Sequence, residues 1–179
     1  MILKDEGLVV YVKTIKENHL FIKILSKKNG LCLGTVYGGN SKKNKNIYQL
    51  GNFIIFNLIN KNKSPYSTIN GDIKPPLVSF IFNDKYKLHA LLTCCSLINC
   101  SVNEGQKFEK IYLNCIDLFN SFIKNHWFSS FSNWLLLFIS ELGYGFDLTN
   151  ISSDTKYINT DNFEFCNKNI INSSNKEKF

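Results

Sequence analysis

The sequence contains no arginine, so all of its basic side chains apart from histidine are lysines. Arginine presents a rigid guanidinium fork that grips phosphate groups and guanine edges through two hydrogen bonds at once. Its absence excludes arginine fingers and two-point base recognition. Any phosphate contact must therefore come from lysine, a backbone amide or a hydroxyl group. Alanine is almost absent as well, since Ala90 stands alone, and we interpret this composition as AT-biased coding.

Long apolar runs are also missing from the sequence. Apolar runs such as 53–56 and 134–139 are far shorter than the roughly 20 residues that a membrane helix needs. Near the N-terminus, Asp5 and Glu6 stand where a secretory signal would carry its apolar core. We therefore expect a cytoplasmic protein.

The cysteines lack the spacing of metal ligands. None of the six forms a Cys-x-x-Cys pair, so a structural zinc site is not expected. Buried packing is the usual role of cysteine in a reducing compartment, and we predict it for Cys94, Cys95 and Cys100. The remaining cysteines are Cys32, Cys115 and Cys166.

Catalytic patterns are equally scarce. The segment GTVYGG at 34–39 lacks the glycine spacing and the lysine-hydroxyl ending of phosphate-binding loops. Asp5 and Glu6 could form a metal pair, but adjacent strand residues point to opposite faces, so we favour a solvated strand start. The three histidines, which have no carboxylate or cysteine at useful spacing, are His19, His89 and His126. We expect no cofactor and no enzymatic activity.

Apolar residues alternate with polar ones through the first eighty residues, a pattern typical of short strands. Asn29-Gly30 is expected to form a two-residue hairpin turn, 38–46 a polar and flexible loop, and Ser64-Pro65 and Asn70-Gly71 further turns. The predicted strands are 8–13, 20–25, 31–37, 53–59 and, as a possible last one, 77–82. Five or so strands in this length indicate a small barrel.

Helical periodicity follows the barrel. It predicts helices over 87–102, 108–123 and 129–142. Because residues 134–139 of the third helix are apolar all round, we expect it to lie deep between the others, and Gly143 and Gly145 to end it. We predict an α+β protein with a barrel over 1–82, a helical domain over 83–150 and an irregular segment over 151–179.

The net charge differs between the part of the sequence that holds the predicted barrel and the part that follows it. Residues 1–87 hold 14 lysines and 5 acidic residues, whereas 88–179 hold 7 lysines and 9 acidic residues. A positive field on a small barrel attracts polyanions, and the loops of such barrels bind single strands. The candidate DNA-binding residues are Lys13, Lys16, Lys27, Lys28, Lys42, Lys43, Lys45, Lys61 and Lys63.

The strongest local candidate is the lysine cluster within 38–46, for which a merely solvated loop is the alternative. Aromatic residues of the barrel could stack on bases, or they could fill its core. These aromatic residues are Tyr11, Phe21, Tyr37, Phe53 and Phe56.

Four segments in order resemble the bacterial recombination mediators of the RecO family. They are DEGLVV at 5–10, LGTVYGGNSKK at 33–43, YQLGN at 48–52 and WLLLFISELGYGFDL at 134–148. The family has an acidic pair with glycine on its first strand, a glycine-basic loop after the third and a helix ending in a Glu-Leu-Gly-[Phe/Tyr]-Gly-Leu-Asp-Leu motif. The last match is the most specific of the four.

This resemblance implies an N-terminal OB-fold, a helical domain and a nonenzymatic role in the RecF pathway of recombinational repair. It implies binding to single- and double-stranded DNA, strand annealing, and assistance to RecA in replacing single-strand-binding protein, in concert with RecR. The basic loop of the family corresponds to 38–45 here, with lysines where arginines are usual. A family zinc-binding cysteine corresponds to Ile151 and only Cys166 follows, so zinc is not expected, and the C-terminal part is expected to be reduced.

Two other function classes stay open. A protein-interaction adaptor would bind DNA weakly and dock a partner on the aromatic-rich helical half. An enzyme such as a nuclease would be revealed by DNA cleavage upon addition of a divalent metal.

Overall fold

The computed structural model describes residues 2–60, 66–124 and 127–144, together with the backbone of 157–158 and 165–166. The chain divides into two compact units, residues 1–134 and 135–179. The strands are β1 (Ile2–Lys16), β2 (His19–Ser26), β3 (Gly30–Val36), β4 (Phe53–Ile59), β5 (Ser67–Ile73), β6 (Tyr157–Ile158) and β7 (Phe165–Cys166). The helices are α1 (Leu77–Ile81), α2 (Lys85–Ser101), α3 (Glu109–Ser121) and α4 (Trp127–Glu141). This order confirms the α+β class.

The first five strands close into a barrel in the order β1-β2-β3-β5-β4. β1 pairs antiparallel with both β2 and β4, and a short parallel pairing of β3 with β5 completes the circle. A closed five-stranded barrel followed by helices matches the predicted OB-fold and helical regions. Its core is apolar, with Val9, Ile22, Ile54, Phe56 and Ile69 fully buried.

A bulge at Val10 explains why the period-two pattern of β1 is imperfect. Val9 pairs with Ile24, but the next ladder pair joins Tyr11 to Lys23, so Val10 is the extra residue. Leu8, Val9 and Val10 are consequently all buried. The side chain of Val9 packs in the barrel core, while α2 approaches this stretch from outside.

The turn predictions need two corrections. The β2–β3 loop has three residues, Lys27 to Asn29, and Gly30 begins β3 with a φ of +73°. Asn70-Gly71 is not a turn but lies inside β5, where Gly71 pairs with Phe56. A Cβ on Gly71 would meet the carbonyl oxygen of Ile55 at 2.7 Å, so this glycine permits close strand approach instead of reversing the chain.

The expected last strand at 77–82 is wrong, because this segment forms α1 and ends at the Phe82 C-cap. The run LVSFI is apolar and only five residues long, and a run of this length carries no period that separates strand from helix. Pro76 precedes the helix and its carbonyl accepts a hydrogen bond from the Ser79 amide at 3.1 Å. Proline just before a helix is favourable because it has no amide hydrogen to satisfy.

Helices α2 and α3 form where periodicity predicts them. The Asp84 side chain caps α2 by accepting from the amides of Tyr86 and Lys87 at 3.1 and 3.2 Å. The buried stripe of α3 consists of Ile111, Tyr112, Cys115, Leu118 and Phe119, and Phe122 is buried just beyond it. Cys100, predicted to be buried, is exposed instead.

The third predicted helix corresponds to α4. Only Trp134 and Phe138 of its apolar run 134–139 are buried, so the expectation of a helix buried all round is wrong. Gly143 ends the helix as predicted, with a φ of +90° and a hydrogen bond from its amide to the Ser140 carbonyl at 2.9 Å. Gly145 lies outside the described residues.

The segment 151–179 was expected to be irregular, but the structure describes one antiparallel pairing within it, β6 with β7. Of the helices in the described ranges, none combines the length and the apolar character that crossing a bilayer requires.

Candidate nucleic-acid interface

Two lysine-bearing segments meet at one end of the barrel. One consists of the end of β1, which carries Lys13 and Lys16, and the β1–β2 turn at 17–18. The other is 38–46, which follows β3. The Asn40 amide donates to the Asn18 carbonyl at 3.2 Å, and the Asn40 side chain donates to the Glu17 carbonyl at 3.4 Å. The Gly38 amide donates to Nδ1 of His19 at 3.2 Å. These contacts hold the two segments side by side.

The segment 38–46 is a series of hydrogen-bonded turns, and its predicted flexibility stays a prediction. The amides of Asn44 and Lys45 donate to the Ser41 carbonyl at 3.0 and 2.9 Å. The Asn44 side chain donates to the Gly38 carbonyl at 3.2 Å. Gly38 adopts a φ of +68°, a conformation that glycine takes without steric cost. The lysines of this segment therefore project from a defined backbone.

We call the resulting surface the lysine-rich end, defined by Lys13, Lys16, Lys42, Lys43 and Lys45. All five are exposed. Among the residues that the structure describes, none of the five has an ion-pair partner. Glu17 is the one acidic residue within 13–19 and 38–46. The lysine-rich end thus carries a net positive charge, which attracts phosphate groups.

Two of the candidate lysines lie at the other end of the β1–β2 ladder. The Lys27 ammonium pairs with Glu6 at 3.0 Å, and Lys74 pairs with the second oxygen of the same carboxylate. The hydrogen bond that Lys27 donates to the Glu6 carboxylate, together with the negative charge of that group, raises the pKa of Lys27. The backbone amide of Lys28 donates to Asp5 at 3.0 Å, while its side chain is exposed. Lys61 and Lys63 lie outside the described residues, and no structural finding tests any of these four as DNA contacts.

Asp5 is not the solvated strand start that was expected. It is only 8% exposed, and its carboxylate accepts from Ser26 Oγ, from the amides of Glu6 and Lys28, and from Asn29 Nδ2. Burial by itself raises the pKa of Asp5, but these hydrogen bonds outweigh it, so that the pKa lies below the usual value of 3.8. This arrangement fixes the β2–β3 loop to β1 and leaves the Asp5 carboxylate no role at the lysine-rich end.

The barrel aromatics separate into two groups. Phe53 and Phe56 are buried; Phe53 packs edge-to-face on Tyr112 of α3 at a ring distance of 5.8 Å. Tyr11 and Phe21, in contrast, are half-buried on the outer face of β1 and β2, and Tyr37 is exposed beside His19. Of these five residues, Phe56 fills the barrel core, whereas Phe53 is buried against α3.

Tyr11 and Phe21 line an open groove of about 490 Å³ on this outer face. Lys13 and Lys23 belong to its wall, and Tyr66, which precedes β5, stands against Phe21 with ring centroids 5.5 Å apart. We call it the aromatic groove. Lys13 is shared with the lysine-rich end, so the two surfaces are continuous.

The cysteines show no sign of metal chemistry where the structure describes them. Cys94, Cys95 and Cys115 are buried. Burial raises the pKa of the Cys32 thiol to about 11 and that of Cys95 to about 12, so both are neutral thiols at physiological pH. Within the described ranges, no three His, Cys, Asp or Glu residues come together in a group that could hold a metal ion.

Comparisons with known proteins identify the family. The chain matches no protein-family model. It is 30% identical over 163 residues to the DNA repair protein RecO of Rickettsia africae (strain ESF-5), an alignment that covers 88% of this chain and 68% of that protein. The RecO protein of Rickettsia peacockii (strain Rustic) matches to the same extent. That of Rickettsia typhi (strain ATCC VR-144 / Wilmington) is 28% identical over 88% of this chain and 69% of its own length. The chain belongs to the RecO family.

Membership in the RecO family confirms the resemblance seen in the four ordered segments. It also gives the protein a role in DNA repair. The RecO motif LGTVYGGNSKK runs from β3 into the lysine-rich end, and DEGLVV carries the buried Asp5. One RecO motif thus supplies the candidate interface and another stabilises the barrel that presents it.

Sequence reasoning overlooked two residues of the aromatic groove. Lys23 is placed by register, since it pairs with Tyr11 across the β1–β2 ladder and its Nζ lies 5.5 Å from the centre of that ring. Tyr66 precedes a strand that was not predicted, so the pattern offered no signal for it. Pairing the predicted strands as a hairpin would have found Lys23.

Proposed function

We propose that this RecO-family protein is a recombination mediator of the RecF pathway. It binds single- and double-stranded DNA without sequence preference and anneals complementary strands. Together with a RecR-like protein it helps RecA replace single-strand-binding protein on single-stranded DNA. It acts by binding and does not catalyse a reaction.

The observation that supports this proposal best is the lysine-rich end. Hydrogen bonds between 38–46 and the β1–β2 turn bring five exposed lysines to one end of an OB-fold barrel. The β1–β2 loop of OB-folds is among the loops that bind nucleic acid strands. Because lysine is a point charge without a fixed fork, contacts made by these residues carry charge complementarity and little base specificity.

The DNA-binding part of the proposal is tested with a triple variant, Lys42→Ala, Lys43→Ala and Lys45→Ala. We expect its affinity for single strands of different sequence, measured by fluorescence anisotropy at low salt, to fall for all of them alike. The matched control replaces three exposed lysines outside the lysine-rich end, Lys85, Lys107 and Lys124, with alanine and loses the same net charge. Equal affinities of the two triple variants would show that 38–46 is a solvated bystander.

The mediator part needs a separate experiment. Complementary oligonucleotides coated with single-strand-binding protein are mixed with the full chain, with and without RecR, and the rate of duplex formation is followed. We expect annealing to accelerate with the native chain and less so with the triple variant of 38–46. Unchanged annealing alongside intact DNA binding would contradict the mediator role and leave a simple DNA-binding role.

A protein-interaction adaptor is the second candidate function. It is favoured by the exposed aromatic residues Phe80, Phe82 and Tyr86 around α1 and the start of α2, which are available to a partner surface. Co-purification with RecR or single-strand-binding protein, in the absence of measurable DNA affinity, would support the adaptor over the mediator.

DNA cleavage on addition of Mg²⁺ or Mn²⁺ would instead support a nuclease, and we expect none.

A further inference from the structure

The aromatic groove offers ring faces in a setting that differs from the lysine-rich end. Tyr11 and Phe21 meet edge-to-face with centroids 6.5 Å apart and an interplanar angle of 72°, and Phe21 meets Tyr66 at 73°. In each T-shaped pair the edge of one ring meets the face of the other, and the Lys23 ammonium lies over the Tyr11 ring at 5.5 Å from its centre. Tyr66 is 55% exposed, so much of its ring surface is accessible to a ligand.

The walls of the groove suit a ligand that is flat and negatively charged at intervals. Lys13 and Lys23 flank the rings, on β1 and β2 respectively, and none of the lining residues that the structure describes is acidic. The volume of about 490 Å³ falls within the range typical of small-ligand sites. A flat aromatic ligand attached to phosphate groups fits these properties, which is the chemistry of a nucleotide in a strand.

We infer that the aromatic groove holds unpaired bases and distinguishes single strands from duplex, while the lysine-rich end binds the phosphates of both. This inference rests on the DNA-binding function proposed above. The faces of bases in a duplex are covered by their neighbours, whereas a single strand can turn a base onto an aromatic side chain. The two surfaces are continuous through Lys13, so one strand can engage them together.

A consequence for annealing follows from this division. Single strands are held by bases and phosphates, but the duplex product is held by phosphates only. Pairing therefore withdraws the bases from the groove, and the loss of stacking weakens the hold on the product. Release of duplex then needs no conformational change and no consumption of a nucleotide.

The direct test compares two oligonucleotides of equal length and charge, an oligothymidylate and a strand made of abasic sites. Both keep the phosphates, but only the first can stack. For the native full-length chain we expect the oligothymidylate to bind roughly fivefold to a hundredfold more tightly for each base stacked. Equal affinities would overturn the inference and leave phosphate binding intact.

The variants Phe21→Leu and Tyr66→Leu, alone and combined, assign the difference to the groove. Leucine keeps an apolar side chain but removes the ring. We expect the preference for thymidylate over abasic strand to shrink towards unity, while affinity for duplex stays unchanged. The matched control is Phe82→Leu, which removes an aromatic ring that is 71% exposed at the end of α1 and does not line the groove.

Three outcomes separate the two proposals. If the Leu variants lose thymidylate and duplex affinity in equal measure, the groove has no selective role. If the triple variant of 38–46 weakens binding to all three nucleic acids but keeps their ratios, the division between phosphate and base contacts is supported. If the native chain binds none of them at low salt, the proposed DNA-binding function fails, and the inference about the groove fails with it.

Discussion

Four hydrogen bonds converge on the carboxylate of Asp5, from the side chains of Ser26 and Asn29 and the amides of Glu6 and Lys28. A buried charge is costly unless it is satisfied in this manner. The carboxylate joins the first part of β1 to the end of β2 and to the β2–β3 loop. The sequence by itself does not distinguish Asp5 from an aspartate on the surface.

Replacing Asp5 with Asn should reduce the free energy of unfolding at neutral pH by about 1.5–3 kcal/mol, because charged hydrogen bonds are lost in a buried position. The pKa of Asp5 is lowered in the folded state, so its contribution is fully present above the unfolded value of 3.8. It is lost as the pH falls through the folded pKa. Urea unfolding of native and variant chains should therefore give curves that converge in acid.

Asp72→Asn, at an exposed position of β5, serves as the control for this experiment. We expect little change from it. A difference between native and Asp5→Asn chains that stays constant from neutral pH to below 3 would contradict the role of the ionised carboxylate.

The Tyr48 side chain forms hydrogen bonds with the backbone of β5 in the barrel. Its hydroxyl accepts from the Gly71 amide at 2.9 Å and donates to the Gly71 carbonyl at 3.1 Å. Tyr48→Phe should lower the free energy of unfolding by about 1 kcal/mol, because it removes two hydrogen bonds to the half-buried backbone of Gly71. Denaturant unfolding measures the change, with Tyr86→Phe at an exposed position as the control. Equal effects of the two variants would argue against this role.

The β1–β2 turn and the segment 38–46 act as one element. His19 links them, since its Nδ1 accepts from the Gly38 amide and its ring meets Tyr37 with centroids 5.0 Å apart. The lysines on both segments keep their mutual arrangement because of this contact and the hydrogen bonds of Asn40. Loss of the link should loosen the lysine-rich end without unfolding the barrel.

The variant His19→Phe tests this link, because it keeps a ring beside Tyr37 but removes the acceptor. We expect the amide of Gly38 to exchange with solvent roughly two- to tenfold faster, which corresponds to one hydrogen bond of about 0.5–1.5 kcal/mol. Amide exchange followed by NMR is the measurement. His89→Phe, at an exposed position of α2, should leave the exchange rate of Gly38 unchanged.

Elements in which apolar residues recur at a regular spacing could be predicted from the sequence. β4 lies at the predicted residues 53–59, and α2 begins within two residues of its prediction because Asp84 caps it. Elements that depend on tertiary contact were not predictable. In the sequence Gly71 looks like a turn residue, and only its pairing with Phe56 and its contact with Tyr48 show that it lies in a strand. The run 77–81 is too short to show a helical or strand period.

The candidate site was predictable as a set of lysines but not as a surface. Successive hairpins of a barrel lie at alternating ends, which separates Lys27 and Lys28 from Lys16 and from 38–46. That consequence follows from the strand order and could have been drawn from the predicted hairpins. The ion pair between Lys27 and Glu6 could not have been predicted from the strand order, because it depends on side-chain geometry between β1 and the β2–β3 loop.

At the scale of the whole molecule, the excess of positive charge lies in the part of the sequence that forms the barrel. The lysine excess belongs to the barrel half, and the helical half is slightly acidic. A nucleic acid is therefore attracted to one part of the molecule and is not attracted to the other. The missing arginines leave this steering intact, because steering depends on charge and not on the geometry of the cationic group.

The salt dependence of binding tests this view. If three to five lysines contact single-stranded DNA, log K should fall with log salt at a slope of about −2 to −3.5. The triple variant of 38–46 should reduce the steepness by about 2, since each contact contributes roughly 0.7. Titrations over a range of salt concentrations measure both slopes. An affinity that does not change with salt would contradict a phosphate-binding surface.

The pairing of β1 with β4 also bears on synthesis of the chain. β1 is 15 residues long, and its second edge stays open until residue 59 exists, because Ile2 pairs with Ile59. The roughly thirty residues between the end of β2 and the end of β4 take about 2–7 s to translate. During that interval the nascent hairpin presents an unpaired apolar edge to other chains. Production of this protein should therefore depend on protection of the emerging chain more than on the stability of the finished barrel.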